Sequence, residues 1–264
     1  MKHRTARKTF LTVILVFTYT AANAQETPDR TLTWSIDGQS LSEPGQDTDQ
    51  LGSSLLFTST NHQGISHSLY LNYANGDFID GTRSEMGDTS SFDLGYSYGR
   101  PLNDNGLSGS LSIGVGRSQG DVDRGFDPII GVRSDSYSFG VGLLQAIPVT
   151  ANSGFVLTGT LETTRYSTTV EGIKTSGTNN SFGTSVSYVS RVGLLSVASV
   201  GLAANFSSRD DADPSDGDSV DLIGGYTYIP YFEAPYEFGF SASYGLTPSE
   251  QTRRSLSLFV TRNF

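Results

Sequence analysis

The sequence predicts an all-β fold, a closed antiparallel barrel of about twelve strands that crosses a membrane. Apolar residues recur at every second position through most of the chain, which is the period of a strand with two unlike faces. No apolar run approaches the roughly 20 residues that a membrane-spanning helix needs. The 30 glycines, 13 tyrosines and 15 phenylalanines fit strands flanked by aromatic belts. Any membrane crossing is therefore expected to be made by strands.

The first 24 residues predict a signal peptide. Four basic residues precede the apolar run 10–19, and Ala22-Asn23-Ala24 supplies the small residues of a cleavage site. We expect cleavage after Ala24, export from the cytoplasm, and a single barrel domain over residues 25–264.

The last two strands show the alternation most clearly. In 237–246, apolar and aromatic residues alternate with glycine, serine and glutamate. In 255–264 one face carries Leu256, Leu258, Val260 and Phe264, and the other is mostly polar. In a membrane barrel the apolar face contacts lipid and the polar face lines the lumen.

Twelve segments follow this pattern, and the count becomes ten if residues 25–52 are disordered or lie in the lumen. They are 30–37, 53–61, 65–75, 91–101, 107–117, 136–148, 155–167, 181–192, 196–207, 219–230, 236–246 and 255–264. With Phe264 at the periplasmic end, the connections alternate between short periplasmic turns and longer external loops, as in membrane barrels. The short turns are 62–64, 102–106, 149–154, 193–195 and 231–235, and the long loops are 38–52, 76–90, 118–135, 168–180, 208–218 and 247–254.

The leader, the alternating strands and the C-terminal Phe264 with apolar residues two apart before it resemble the pattern of Gram-negative outer-membrane barrels. The resemblance implies an outer-membrane location and a last strand, marked by Phe264, Val260, Leu258 and Leu256, that the barrel assembly machinery recognises. Arg262 departs from the pattern, although an arginine can snorkel at an interface. Among subfamilies the chain is most similar to porin-like transporters grouped with phenol meta-pathway proteins, and next to autotransporter barrels.

Charge and cysteine content narrow the possible partners. Without the leader, 13 basic and 27 acidic residues remain, a net charge of -14. Such a surface disfavours nucleic acid as a partner. The chain has no cysteine, so its stability is expected to come from strand pairing and barrel closure.

Two short motifs and two histidines raise the possibility of an outer-leaflet lipid enzyme. Residues 95–99 and 116–120 match the G-x-S-x-G pattern of a hydrolase nucleophile, but no helix is predicted after either. His67 is expected on the lipid-facing side near the periplasmic end, away from the outer leaflet, and His62 in a periplasmic turn. We therefore expect no catalytic residues.

Acidic residues concentrate in two external loops, in 121–127 and 210–218. Their carboxylates could bind Ca²⁺ or bridge through divalent ions to lipopolysaccharide, but the spacing lacks the glutamate that closes an EF-hand. We expect no dedicated metal site and no cofactor.

The lumen-facing positions predict the function. Most of them are glycine, serine or threonine, too small to fill a twelve-stranded barrel. The inward charges are Asp93, Glu162, Asp221 and Glu237. The expected function is a monomeric passive channel for small solutes, contacting outer-membrane lipid and lipopolysaccharide. The alternatives are a structural or adhesive barrel, an autotransporter-like barrel, which the short segment before the first strand disfavours, and, last, the lipid enzyme.

Overall fold

A computed structural model describes residues 29–43, 45–80, 85–123, 130–209, 218–230, 235–247 and 252–264. The signal peptide, Asp127 and the acidic stretch 210–217 lie outside the described residues. In the described part of the chain, no helix has the length and the apolar character needed to cross a membrane.

The chain forms a closed antiparallel barrel in which each strand pairs with its neighbours in sequence and β1 pairs with β12. The prediction of a twelve-strand barrel is thereby confirmed. The strands are β1 Asp29–Glu43, β2 Gln46–Thr60, β3 Ser66–Asp80, β4 Glu85–Pro101, β5 Leu107–Asp123, β6 Ile130–Thr150, β7 Ser153–Val170, β8 Ile173–Arg191, β9 Ser196–Arg209, β10 Ser219–Tyr228, β11 Tyr236–Thr247 and β12 Thr252–Asn263.

We call the end of the barrel that holds Phe264 and the turn between β2 and β3 the near end, and the opposite end the far end. Much of the sequence expected to form long loops at the far end is strand instead. Residues 38–43 and 46–52 continue β1 and β2, and Glu171 and Gly172 alone connect β7 to β8, both with positive φ. These extensions carry only scattered apolar residues, so they lack the apolar alternation by which the membrane-crossing part of a strand is recognised.

The strand register fixes the size of the barrel. Starting at Ser35 and moving from strand to strand through paired residues, the path through β2 to β7 reaches β8 at Gly177. The path in the opposite direction, through β12 to β9, reaches β8 at Arg191. The two end points differ by 14 residues. With a strand spacing of about 4.8 Å and a rise of about 3.3 Å per residue, this offset corresponds to a strand tilt of about 40° and a backbone radius of about 12 Å.

The outer surface is apolar and exposed, the reverse of a soluble protein. Trp34, Leu69, Phe139 and Leu258 are each about half exposed, and they belong to a band that surrounds the barrel. An apolar surface of this extent requires a nonpolar solvent. The buried apolar cluster among the described residues is small: Val122, Ile130 and Val132, with Phe78 and Val170 packed against it at the far end.

The rim at the far end is uneven. Strands β4 to β8 contain 17 to 21 residues, whereas β9 to β12 contain 10 to 14. One side of the barrel therefore stands above the apolar band as a polar wall.

The seam between β1 and β12 is closely packed. Thr33 and Thr261 hydrogen bond through their hydroxyls at 2.8 Å, and Thr261 is fully buried. At the near end the Phe264 amide donates to the Arg30 carbonyl at 2.9 Å. The two ends of the chain thus close the barrel together.

Candidate functional site in the barrel lumen

Small residues on the inner face make room for a few large ones. The Tyr70 ring lies across Gly95 and Gly114 of the two following strands, at positions where a Cβ atom would overlap it. Phe259 covers Gly239 in the same way. The glycines were predicted to lie on the inner face, but these aromatic rings were not. The rings fill part of the space that the glycines leave.

Carboxylates from four strands lie at one height inside the barrel. The offset of 14 residues over twelve strands shifts the register by about 1.2 residues per strand. After this correction, four inward carboxylates fall within about 4 Å of one another along the barrel axis. They are Asp37, Asp93, Glu162 and Asp221, and we call them the acidic ring. The ring lies near the far-end edge of the apolar band.

One side of the acidic ring is a hydrogen-bonded network. Ser138 hydrogen bonds to both the Tyr70 hydroxyl and the Glu162 carboxylate, and Thr164 donates to Glu162 at 3.3 Å. Asp93 lies beside Tyr70 on the neighbouring strand, close enough for its charge to act on the tyrosine. These hydrogen bonds hold Glu162 against the wall, and Asp93 lies near it.

The opposite side of the ring contains an ion pair. Arg253 contacts Asp221 at 3.0 Å, and the two side chains are only 13% and 14% exposed. Arg253 also donates to the Thr247 carbonyl at 2.9 Å, and Ser219 donates to Asp221 at 3.3 Å. Asp221 was predicted as a lumen charge, and in the structure its charge is compensated by the arginine.

Asp37 was not recognised in the sequence. Ser35 donates to its Oδ2 at 2.9 Å, whereas its Oδ1 is buried with no hydrogen-bond partner among the described residues. Ser257, directly opposite on β12, is 5% exposed, and the described part of the chain offers its hydroxyl no partner either. The alternation through Thr33 and Ser35 was the available signal, but Asp37 stood at the predicted end of the strand.

Glu237 lies apart from the ring. It is about 16 Å nearer the near end, six residues along β11 from the level of the ring. Asn263 donates to its carboxylate at 3.0 Å. Of the expected assembly signal, Leu256, Leu258 and Val260 lie on the outer face of β12, and Phe264 directly follows the strand. The Arg262 guanidinium stacks on the rings of Phe264 and Tyr236, 4.7 and 5.8 Å from their centroids.

The residues considered for catalysis are dispersed. His67 lies on the outer face, where its Nδ1 is 2.6 Å from the Tyr96 hydroxyl and its ring meets Tyr98 edge-on. Both G-x-S-x-G matches lie inside β4 and β5, without the strand-to-helix turn that a nucleophile elbow requires. Within the described ranges, no three histidine or acidic side chains are grouped as a metal site would require.

Comparison with known proteins identifies the fold. The translocator domain of the autotransporter NalP from Neisseria meningitidis has a TM-score of 0.74 at 10% identity, covering 91% of this chain and 90% of that chain. The beta domain of the Bordetella autotransporter BrkA has a TM-score of 0.67 at 11% identity, covering 90% and 100%. An outer membrane channel from Pseudomonas putida F1 has a TM-score of 0.55 at 11% identity, covering 91% and 97%.

The chain therefore has the fold of outer-membrane barrels. No family model and no curated protein sequence matches it.

Proposed function

We propose that the protein is a passive outer-membrane channel for small solutes, with a preference for cations and neutral molecules over anions. The acidic ring carries this proposal. Asp37, Asp93 and Glu162 project into the lumen at one height, and among the described residues the cation beside the ring, Arg253, compensates Asp221 only. A ring of fixed negative charge in a narrow aqueous passage favours cations, as in other ion pathways.

The composition of the wall supports a passage rather than a packed interior. With a backbone radius of about 12 Å, side chains as small as glycine and serine cannot meet across the axis. The inner faces of β5 and β6 carry little else between Ser108 and Gly142. Eight-stranded barrels are filled by ordinary side chains, and larger ones hold water or a ligand.

In this proposal the near end lies in the periplasm and the far end at the cell exterior, because the chain termini of outer-membrane barrels lie in the periplasm. It assigns no catalytic role. We further propose a monomer, inserted by the barrel assembly machinery, which recognises Phe264 and the alternating apolar residues of β12.

The similar structures include both translocator domains and a channel, so the fold alone does not distinguish these functions. Reconstitution of the purified protein, cleaved after Ala24, in planar bilayers distinguishes them. We expect stepwise conductance and a reversal potential that indicates cation preference in a salt gradient. A silent membrane, or anion selectivity, would overturn the proposal.

A further inference from the structure

Basic side chains gather on one part of the outer wall, although the protein as a whole is acidic. Arg117, Arg133, Arg165 and Lys174 come from four successive strands, β5 to β8, and all four are exposed. The register places them in adjacent rows: Arg117 pairs with Asp135, Arg165 with Tyr137, and Arg133 and Lys174 both with Thr169. We call this group the basic patch.

Asp135 lies between the basic side chains, and Asp121 and Glu171 line the same outer-surface groove as Arg133. The Arg117 Nε donates to Asp135 at 2.7 Å, and Arg133 approaches it at 3.7 Å. The hydrogen bond from Arg117, together with the charges of Arg117, Arg133 and Lys174, holds the pKa of Asp135 below its ordinary value. Asp135 therefore stays ionised, and the patch carries a net charge of +3. Both arginine side chains remain more than half exposed.

The patch extends outward from the edge of the apolar band: Arg117 and Arg165 lie at one height at this edge, and Arg133 and Lys174 lie about 7 and 14 Å farther out. Tyr137, 66% exposed, adjoins Arg165 on the same face, and Phe139 follows one step deeper into the band. The hydroxyls of Ser167, Thr169 and Ser176 lie among the basic side chains on the outer face. Guanidinium, ammonium and hydroxyl donors at this depth face the headgroup layer of the outer leaflet.

An apolar groove of about 480 Å³ begins directly below the patch, on the outer surface of β6 to β9. Val141, Leu161, Phe182 and Phe206 form one continuous row across these four strands. The rings of Phe182 and Phe206 stack with centroids 6.2 Å apart. A groove of this kind in the lipid-facing band fits an acyl chain.

We propose that the basic patch and the groove together bind lipid A, the phosphorylated, acylated glycolipid of the outer leaflet. The phosphates contact Arg117, Arg133, Arg165 and Lys174, and one acyl chain occupies the groove. Charge complementarity argues for this occupant, because arginine forks bind phosphate bidentately. The far-end carboxylates Asp121 and Glu171 lie about 10 and 16 Å farther out than Arg117 and Arg165, near the heights of Arg133 and Lys174, so they border the patch on its outer side. The site requires the membrane orientation given above but is independent of conduction.

The test measures lipid A binding to the purified barrel by native mass spectrometry in detergent. The variant R165Q/K174Q removes two positive charges that the barrel fold does not require. Each basic residue near an anionic surface contributes about fivefold in affinity, so we expect a loss of roughly 25-fold. The control R100Q removes an exposed charge from the near end of β4 and should leave binding unchanged.

Two further probes separate the sources of affinity. Dephosphorylated lipid A should bind the native protein at least as weakly as bisphosphorylated lipid A binds the double variant, which keeps two of the four cations. Phosphatidylglycerol should bind less tightly than lipid A, because it offers one phosphate. Equal binding by native protein and double variant, or an equal loss in the control, would overturn the proposal. Folding of every variant is checked by the heat-dependent mobility of the barrel in gel electrophoresis.

Discussion

Neutralising two members of the acidic ring should weaken cation selectivity by an amount that the geometry fixes. Asp93 and Glu162 project from a wall of about 12 Å radius, so their carboxylates lie about 8 Å from the axis. In 0.1 M salt, where the Debye length is about 10 Å, one such charge changes the energy of a monovalent ion on the axis by about 0.2 kcal/mol. The effect has opposite signs for a cation and an anion. Each charge therefore contributes about a factor of two to their permeability ratio.

The variant D93N/E162Q should thus lower the cation-to-anion permeability ratio about fivefold in 0.1 M salt. In 1 M salt, with a Debye length of about 3 Å, the same variant should change the ratio by only about 1.3-fold. Reversal potentials in planar bilayers at pH 8 measure both values. The control D104N alters an exposed turn at the near end and should have no effect. A ratio that stays constant in the double variant at 0.1 M salt, or changes equally at both salt concentrations, would contradict a ring acting through its field.

Three further predictions concern stability and assembly. R253A should destabilise the barrel by about 2 kcal/mol in chemical unfolding, because it leaves the carboxylate of the ion pair nearly buried and unpaired. The exposed neighbour change R254A should cost less than about 1 kcal/mol, and equal losses would refute this role of the ion pair. G95A should cost about 1–3 kcal/mol, since its methyl group overlaps the aromatic ring packed on that glycine, whereas G159A, with no atom within 4 Å, should be neutral. Deletion of Phe264 should reduce the amount of folded barrel recovered from outer membranes, and unchanged recovery would remove it from the assembly signal.

The alternation of side chains was enough to predict the barrel, its strand number and which residues share a face. It could not predict the acidic ring, because the height of Asp37 relative to Glu162 depends on the register of seven strands, and register is set by pairing across the whole sheet. The far-end extensions were missed for a related reason. A strand exposed to water on both faces has no apolar period, so residues 168–180 appeared to be a loop.

The large inward residues were missed because side-chain size was considered at each position separately, without the neighbouring strands. Tyr70 reaches the glycines of the next two strands, so its packing depends on neighbours 25 and 44 residues away in the sequence. The basic patch is similar, because its four cations are spread over 58 positions and meet only when β5 to β8 lie side by side. Residues dispersed in this way form no motif.

The pairing of β1 with β12 constrains how the molecule can be made. Its residues are separated by nearly the whole chain, as the contact between Thr33 and Thr261 shows. Until the last strand arrives, both β1 and the growing side of the sheet expose unpaired amide and carbonyl groups, which cannot be solvated by hydrocarbon. A chain lacking its final strand would therefore expose two unpaired strand edges. A check that samples only the C-terminal strand would therefore be enough to detect chains that lack this strand before they enter the bilayer.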